Sequence, residues 1–228
     1  MKNSQLRNEK IRALLALGCS LVVLYFVPHS LAALAILAAL WAAIFYPWRA
    51  GELFSFVIAA LFFLVQNYVC LKAGIFEFRT KDILLMPYYE PFLWGFYFTA
   101  LRRFVSGRGG IFHFKKKCLA GLLATAIAFS VFSGVPSLFL AATVLSTLFL
   151  FVLFHTKLDL YYAACSLVLG LIIEIFGVST GLWSYPSPDF LGIPYWFATM
   201  WISVGVLGYR FLMPLGEGLA GKTTAYGA

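Results

Sequence analysis

Eight long apolar runs, with short polar stretches between them, restrict this chain to folds that a bilayer can surround. The runs cover about residues 12–27, 31–47, 52–72, 88–105, 117–134, 137–155, 159–177 and 193–213. Most of them approach the ~20 residues that a helix needs to cross a bilayer. Charged residues make up only 11% of the chain, against about 25% in a soluble domain. We therefore predict an all-α polytopic membrane protein with about eight transmembrane helices.

The lysines and arginines are divided unevenly between the two sides of the membrane that eight spans would create. One side holds most of them, whereas the other side holds only Lys72, Arg79 and Lys81. Because positive residues stay on the cytoplasmic side, we predict a multi-pass protein of the plasma (inner) membrane with both termini in the cytoplasm. The net charge of +8 occurs in short clusters between apolar runs, which favours contact with membrane lipid over nucleic acid.

An internal repeat relates the two halves of the chain without a gap. A shift of 107 residues places chemically distinctive residues on each other: Ser30 on Ser137, Glu52 on Asp159, Asn67 on Glu174, Gly74 on Gly181, Pro87 on Pro194, Trp94 on Trp201 and Arg103 on Arg210. We predict two parallel four-helix repeats over residues 1–107 and 108–214, followed by a cytoplasmic tail over 215–228. A basic start and an apolar middle also make residues 2–27 resemble a signal peptide. Their counterpart is the internal fifth run, so a true helix is favoured.

The repeat predicts two ion pairs at the cytoplasmic ends of the helices. Glu52 and Arg103 fall at that end of spans three and four, and Asp159 and Arg210 fall at the equivalent places in the second half. A partner offsets the cost of holding a charge near lipid. The alternative is that all four are interfacial charges that water solvates one by one.

The outer loops share an aromatic motif. It follows a glycine in each half, with Phe76 and Phe78 after Gly74, and Trp183 and Tyr185 after Gly181. Each glycine is expected to end a helix in a left-handed conformation, and the spacing of two suits an extended stretch with both rings on one face. The motif fits an aromatic belt at the membrane interface, or a loop that folds inward and caps a cavity.

Two carboxylates lie at positions in the apolar runs that an aromatic belt at the membrane interface does not explain. Glu174 lies fifteen residues after the start of the seventh run, which is about 22 Å along a helix at 1.5 Å per residue. Glu90 begins the fourth span at a similar level, and Asn67 is the repeat counterpart of Glu174. An acid within the membrane is a candidate functional residue, with a buried structural hydrogen bond as the alternative.

Other site types lack their residues. The cysteines have no C-x-x-C spacing and the three histidines are scattered, so neither a metal site nor a di-iron site is predicted. No glycine-rich phosphate loop follows a strand, so no nucleotide or other cofactor is expected.

The motif residues resemble the lycopene cyclase domain superfamily of carotenoid cyclases and hydratases. The resemblance lies in an acid or Asn, six residues later a Gly, then paired aromatics, and a P-x-E-E sequence that opens an aromatic helix. Glu90 matches the second acid of that sequence and Glu174 the acid before the glycine, whereas Tyr89 and the Trp196–Phe197 pair replace the other acids.

The resemblance implies acid-catalysed carbocation chemistry on the end group of an isoprenoid or carotenoid. Glu90 would be the acid and Glu174 the base or a second acid, and no cofactor would be needed. The implied substrate-binding residues are Asn67, Phe76, Phe78, Trp94, Trp183, Tyr185, Tyr195 and Trp196, since aromatic faces stabilise a cation.

Two alternatives come from other classes of function. The missing acids favour a non-catalytic membrane scaffold that binds a lipid or polyene, which would form homo- or hetero-oligomers. A small transporter is the third hypothesis, since repeats with polar sites in the middle of the membrane recur in transporters. Parallel halves and few polar residues in the spans weigh against it.

Overall fold

The computed structural model describes residues 2–105, 116–131 and 136–225, and most of them are helical. Nine helices and two short strands follow one another within these residues: α1 (Lys2–Phe26), α2 (Ser30–Ile44), α3 (Ala50–Lys72), β1 (Glu77–Phe78), α4 (Glu90–Val105), α5 (Lys116–Val131), α6 (Pro136–Leu153), α7 (Lys157–Ser179), β2 (Trp183–Ser184), α8 (Trp196–Leu207) and α9 (Met213–Ala225). A π-helical turn at Gly208–Leu212 connects α8 to α9.

The apolar helices make this chain a membrane protein. Among the described residues, three helical segments are long and apolar enough to cross a bilayer, namely α3, α7 and the continuous stretch from Trp196 to Gly221. The shorter apolar helices α2 and 138–153 accompany them. The described parts of α4 and α5 have 16 residues each and cover about 24 Å of the ~30 Å of a bilayer core. The number of eight crossing helices therefore stays a prediction.

The chain divides into two compact units. Unit 1 contains residues 1–69, 80–112 and 212–228, and unit 2 contains residues 70–79 and 113–211. In unit 1, α4 packs against α1 and α2, and in unit 2, α8 packs against α5, α6 and α7.

Unit 2 is held together by a close contact of α7 with α8. Gly205 on α8 lies against the backbone of Tyr162 and the side chain of Ser166, and Gly170 on α7 lies under the indole ring of Trp201. A side chain at either glycine would separate the helices, because small residues are what allow two helix backbones to approach closely.

A Schellman motif ends both α3 and α7. Gly74 has φ +69° and Gly181 has φ +67°, which confirms the left-handed conformation predicted for them. Ile75 N donates to Cys70 O at 3.1 Å, and Leu182 N donates to Gly177 O at 2.8 Å. These bonds satisfy carbonyl groups that the end of a helix leaves without partners.

The chain after each motif is extended, as the spacing of its aromatic residues predicts. In unit 2, β1 pairs with β2 in antiparallel fashion, with Phe78 opposite Trp183 and Glu77 opposite Ser184. Arg79 N continues the ladder by donating to Leu182 O at 2.9 Å. This two-stranded ribbon fixes where the aromatic side chains of unit 2 point.

A tight turn precedes α4, and a similar turn precedes α8. Bridges connect Ile83 with Met86 and Phe190 with Ile193. The two central residues of each turn have positive φ, namely 48° and 67° at Leu84 and Leu85, and 51° and 78° at Leu191 and Gly192.

An aspartate stabilises the exit from each turn. Asp82 Oδ2 accepts a hydrogen bond from Tyr88 N at 3.4 Å, and Asp189 Oδ2 accepts one from Tyr195 N at 2.8 Å. Asp82 also accepts a hydrogen bond from the hydroxyl of Ser30. Both aspartates lie at the same place in the 107-residue register, although the sequence analysis did not single them out.

Candidate functional site

Glu90 is buried at the start of α4, where it accepts hydrogen bonds within unit 1. Its Oε1 atom receives one from Asn67 Nδ2 at 2.9 Å and one from Trp94 Nε1 at 3.0 Å. Trp94 reaches the carboxylate because residues four apart lie on one face of a helix. Its indole ring stacks on Phe63 with a centroid separation of 3.7 Å. The sequence-predicted residues Asn67, Glu90 and Trp94 thus form one cluster.

Glu174 is buried on α7 in unit 2 and accepts hydrogen bonds from the loop that follows that helix. Its Oε2 atom receives one from Trp183 Nε1 at 2.8 Å and one from Tyr185 Oη at 2.7 Å. Gly177 makes room for this contact, because a Cβ atom at that position would overlap the Trp183 ring. The strand β2 therefore carries its aromatic side chain over the last turn of α7 and onto the acid.

Aromatic residues surround the Glu174 cluster. The centroid of Phe78 lies 5.8 Å from that of Trp183, and that of Phe76 lies 6.0 Å from that of Tyr185. The Trp196 ring is 6.0 Å from the Tyr185 ring on another side. All five of these sequence-predicted residues are consequently together in unit 2, at edge-to-face or tilted distances that aromatic pairs favour.

Tyr195 differs from the other predicted binding residues, because 59% of it is exposed. Its backbone N–H group donates a hydrogen bond to Asp189 Oδ2. The similar level of Glu90 and Glu174 in the sequence predicts that both face one aromatic-lined cavity between the halves. Glu90 belongs to unit 1 and Glu174 to unit 2, and the shared cavity stays a prediction.

In both clusters the carboxylate accepts hydrogen bonds from neighbouring side chains. Indole N–H groups can only donate, so Trp94 and Trp183 require acceptor oxygens on Glu90 and Glu174. The free-energy cost of burying such polar groups falls once they are hydrogen-bonded. Among the residues that the structure describes, no group of three or more His, Cys, Asp or Glu side chains is placed to hold a metal ion.

Arg103 is fully enclosed at the other end of α4. Its Nη2 atom lies 2.7 Å from Glu52 Oε2 and its Nε atom 3.1 Å from Glu52 Oε1. Nη1 lies 3.1 Å from Glu9 Oε2, and Nη2 also donates to the carbonyl groups of Phe45 and Pro47 at 2.8 and 3.1 Å. Arg103 therefore has a bidentate carboxylate on one side and further acceptors around it.

Arg210, on the π-helical turn, makes an equivalent but more open contact. Its Nε atom lies 2.5 Å from Asp159 Oδ1, and its Nη2 atom lies 2.6 Å from Asp159 Oδ2. Asp159 forms a capping box with Thr156 at the start of α7. The guanidinium lies over the rings of Phe154 and Tyr209 at 5.3 and 5.1 Å, where a cation is attracted by the ring face.

The helix α9 supplies a further ion pair that sequence reasoning missed. Glu217 pairs with the buried side chain of Arg102, and both belong to unit 1. The sequence analysis described residues 215–228 as a tail. The adjacent arginines at 102 and 103 were the available signal, because two buried cations at the end of one helix require two acidic partners.

No family model and no curated protein matches this chain. Two solved structures match. One is a cross-linked MvINS trimer, with 18% identity, a TM-score of 0.63, and coverage of 76% of this chain and 96% of that chain. The other is described as a mycobacterial Insig homolog, MvINS from Mycobacterium vanbaalenii, with 19% identity, a TM-score of 0.60 and the same coverage.

These matches correct the resemblance that the sequence motifs suggested. The lycopene cyclase hypothesis was wrong, because two solved structures of an Insig homologue share this fold and no family model matches the chain. Short aromatic motifs misled because they arise in any chain that fills a membrane interface with Trp, Tyr and Phe. The fold of this chain is the polytopic membrane fold of the Insig homologue MvINS.

Proposed function

We propose that this protein is a non-catalytic membrane scaffold that binds an uncharged lipid bearing a hydroxyl group. The observation that carries the proposal is the Glu174 cluster, a buried carboxylate among aromatic side chains on a membrane-crossing helix. A carboxylate offers about four acceptor sites; Trp183 and Tyr185 occupy two of them, and Trp201 approaches a third. A hydroxyl group is the donor that such a site accepts without bringing a second charge into the membrane.

The surroundings of Glu174 favour a long apolar ligand. The Phe76 and Trp196 rings each lie 6.0 Å from the Tyr185 ring, and aromatic faces of this kind pack against hydrocarbon. The lipid hydroxyl would donate to Glu174, and its chain would lie along the rings. In unit 1, Asn67, Glu90 and Trp94 offer a second polar cluster of the same type.

A binding role fits the carboxylates better than catalysis does. An acid that protonates a double bond must present its proton to the substrate, whereas Glu90 and Glu174 each accept hydrogen bonds from two neighbouring donors. Buried acceptors with this many donors act as fixed polar anchors. The fold shared with an Insig homologue is consistent with this assignment.

We further propose that the two halves are tandem repeats in a 107-residue register, that they form eight membrane helices and that both termini face the cytoplasm of the plasma membrane. The equivalent ion pairs of Arg103 and Arg210 support the register. The matched glycine conformations at 74 and 181 support it as well. The basic clusters support the orientation. Self-association is also proposed, since MvINS was crystallised as a cross-linked trimer.

Photolabelling with a matched pair of lipids tests the binding proposal. The purified chain in detergent is irradiated with a photoreactive long-chain alcohol or with its methyl ether, and the labelled residues are found by mass spectrometry. We expect the alcohol to label the Glu174 cluster at least about tenfold more than the ether, since a site built for a donor rejects the analogue that lacks it. Glu174→Leu should remove the preference, and Thr125→Val, an isosteric change in α5 at a hydroxyl that makes no hydrogen bond within the described residues, should keep it.

The unreacted alcohol should be recovered chemically unchanged. Equal labelling by alcohol and ether, or a preference that survives Glu174→Leu, would disprove hydroxyl recognition. Conversion of the alcohol to a product that depends on Glu174 would instead show an enzyme and disprove the non-catalytic assignment.

A further inference from the structure

The two arginine sites differ at one position of the repeat. In unit 1, Glu9 contacts Arg103 Nη1 at 3.1 Å and closes the site. A shift of 107 residues places Lys116 at the position of Glu9. The side chain of Arg103 is 2% exposed and that of Arg210 is 29% exposed. The second site therefore has a cation where the first has its closing acid.

Arg210 has capacity for another acceptor. Its Nε and Nη2 atoms bind Asp159 and Thr156, while within the described residues Nη1 donates no hydrogen bond. Arginine presents its donors in a planar fork that matches the oxygens of a carboxylate or phosphate. An external anion can consequently complete the coordination that Glu9 completes around Arg103.

More cations lie at the same end of unit 2. Cys118 Sγ contacts Arg210 O at 3.4 Å, which places the first turn of α5 beside Arg210. Lys116 and Lys117 are exposed on that turn, and Lys157 is exposed at the start of α7. No acidic side chain of the described residues pairs with these three lysines.

This basic cluster lies at the level of lipid headgroups. Helix α7 is long and apolar enough to cross the bilayer, so Lys157 and Asp159 in its first turn lie near one surface of the membrane. The anions that are always present at that depth are phosphate groups of lipids. Arg210 and the three lysines outnumber the one acid, Asp159, that is paired at this end of unit 2, which leaves an excess of positive charge for lipid phosphates to neutralise.

We infer that Arg210, Lys116, Lys117 and Lys157 form a binding site for the phosphate of an anionic phospholipid. The phosphate would accept from Arg210 Nη1, and the lysines would balance its charge. Asp159 would hold the guanidinium in place rather than contact the lipid. This site differs from the Glu174 cluster, which lies toward the opposite end of α7.

Lipid binding to the intact chain tests the inference. Native mass spectrometry of the purified protein in detergent would compare added phosphatidylglycerol with phosphatidylcholine. We expect preferential binding of phosphatidylglycerol, and a loss of about fivefold in affinity for each cation removed. Lys116→Glu introduces an acid at the position that corresponds to Glu9 of unit 1, and it should abolish the preference for phosphatidylglycerol. Lys157→Gln should weaken that preference.

Arg79→Glu is the matched control. It makes the same change of charge on an exposed residue of unit 2, beyond the opposite end of α7, and it should leave the preference intact. Equal binding of the two lipids by the wild-type chain would overturn the site, and so would equal losses in Arg79→Glu and Lys116→Glu. Displacement of the lipid by glycerol phosphate at similar concentration would show a site for soluble phosphate and overturn the lipid assignment.

Discussion

The two halves of the chain each bury one acid, but on different helices. In the first half the acid is Glu90 at the start of α4, and Asn67 on α3 donates to it. In the second half the acid has moved to the counterpart of Asn67, as Glu174 on α7, while buried Phe197 occupies the counterpart of Glu90. Each half therefore has a buried polar anchor, but the donors to it differ. The donors are an amide and an indole in one half, and an indole and a phenol in the other.

The arginines show a difference of another kind. Arg103 is sealed by Glu52, Glu9 and backbone carbonyl groups, whereas Arg210 has Asp159 and Thr156 and remains partly exposed. A buried charge is tolerated only when its partners are complete, so the first site is built for stability. In the second site Arg210 keeps part of its hydration, so loss of the Arg210–Asp159 ion pair should lower the free energy of unfolding by less.

Replacement of each arginine by methionine should separate the two sites most strongly. Arg103→Met keeps much of the volume but leaves Glu52 and Glu9 buried without their cation, which costs about 3–5 kcal/mol. Arg210→Met leaves the buried Asp159 without its cation but with its capping bonds to Thr156, so we expect a smaller cost of about 2–3 kcal/mol. Unfolding of the detergent-solubilised protein by a denaturing surfactant measures both. Arg49→Met, at a 42% exposed side chain 4.0 Å from Glu52, serves as the control, and equal losses at 103 and 210 would end the distinction between the sites.

Replacement of the buried acids tests whether the two anchors are equivalent. Glu174→Leu leaves the Trp183 indole and the Tyr185 hydroxyl without their acceptor, at about 1–3 kcal/mol for each orphaned group. Glu174→Gln keeps one acceptor oxygen and should cost less than half as much. Glu90→Leu should cost less than Glu174→Leu, since the short side chain of Asn67 can turn to other partners. Thermal unfolding followed by circular dichroism measures these differences, and a larger loss for Glu90→Leu would reverse the assignment of the stronger anchor.

The contact of Trp183 with α7 gives a third, smaller effect. Gly177→Ala places a methyl group where the indole ring lies, and such overpacking costs about 1–3 kcal/mol. Trp183 should move away from Glu174 and shift the tryptophan emission to longer wavelength. Gly18→Ala in α1, where a Cβ atom meets nothing within 4 Å, should be neutral or slightly stabilising because alanine favours helix. Equal effects of the two substitutions would show that the Trp183 contact is not tight.

The membrane class and the helical segments follow from the sequence because a bilayer imposes length and composition on each span. The glycine conformations at 74 and 181 were predictable for a similar reason, since few residues tolerate the left-handed end of a helix. The ends of helices were less predictable. Helix α1 begins at Lys2 rather than near residue 12, and α8 continues through a π-helical turn into α9, because amphipathic turns outside the membrane carry no apolar signal.

The partners of the buried charges were predictable only in part. The register of 107 residues placed Glu52 near Arg103, but nothing local connects Glu9 or Glu217 with the arginines of α4. Those contacts depend on how helices pack, which composition does not specify. Asp82 and Asp189 were within reach of the same register, since Asp-x-Leu-x-x-Pro-Tyr occurs in both halves. Function was the least predictable property, because short aromatic motifs recur in unrelated membrane proteins.

The turns before α4 and α8 give the smallest predicted differences. Exchanging leucine and glycine at equivalent positions should change the free energy of unfolding in opposite directions. A turn of this kind needs positive φ at both central residues, and a non-glycine residue pays about 1–2 kcal/mol for that conformation. Leu85 has φ +67° and is 41% exposed, whereas Gly192, its counterpart, has φ +78°. Leu85→Gly should therefore stabilise the protein by about 0.5–1 kcal/mol, after the entropy that glycine adds to the unfolded chain is subtracted.

Gly192→Leu should do the reverse and cost about 1–2 kcal/mol through the left-handed backbone, with a further loss where its Cβ atom meets Val178. Leu84→Ala, which keeps a non-glycine residue at the neighbouring position, controls for the loss of an exposed apolar side chain. Paired unfolding curves under one set of conditions measure all three variants. Stabilisation by both Leu85→Gly and Leu84→Ala would show that exposed hydrocarbon, and not backbone strain, distinguishes the two turns.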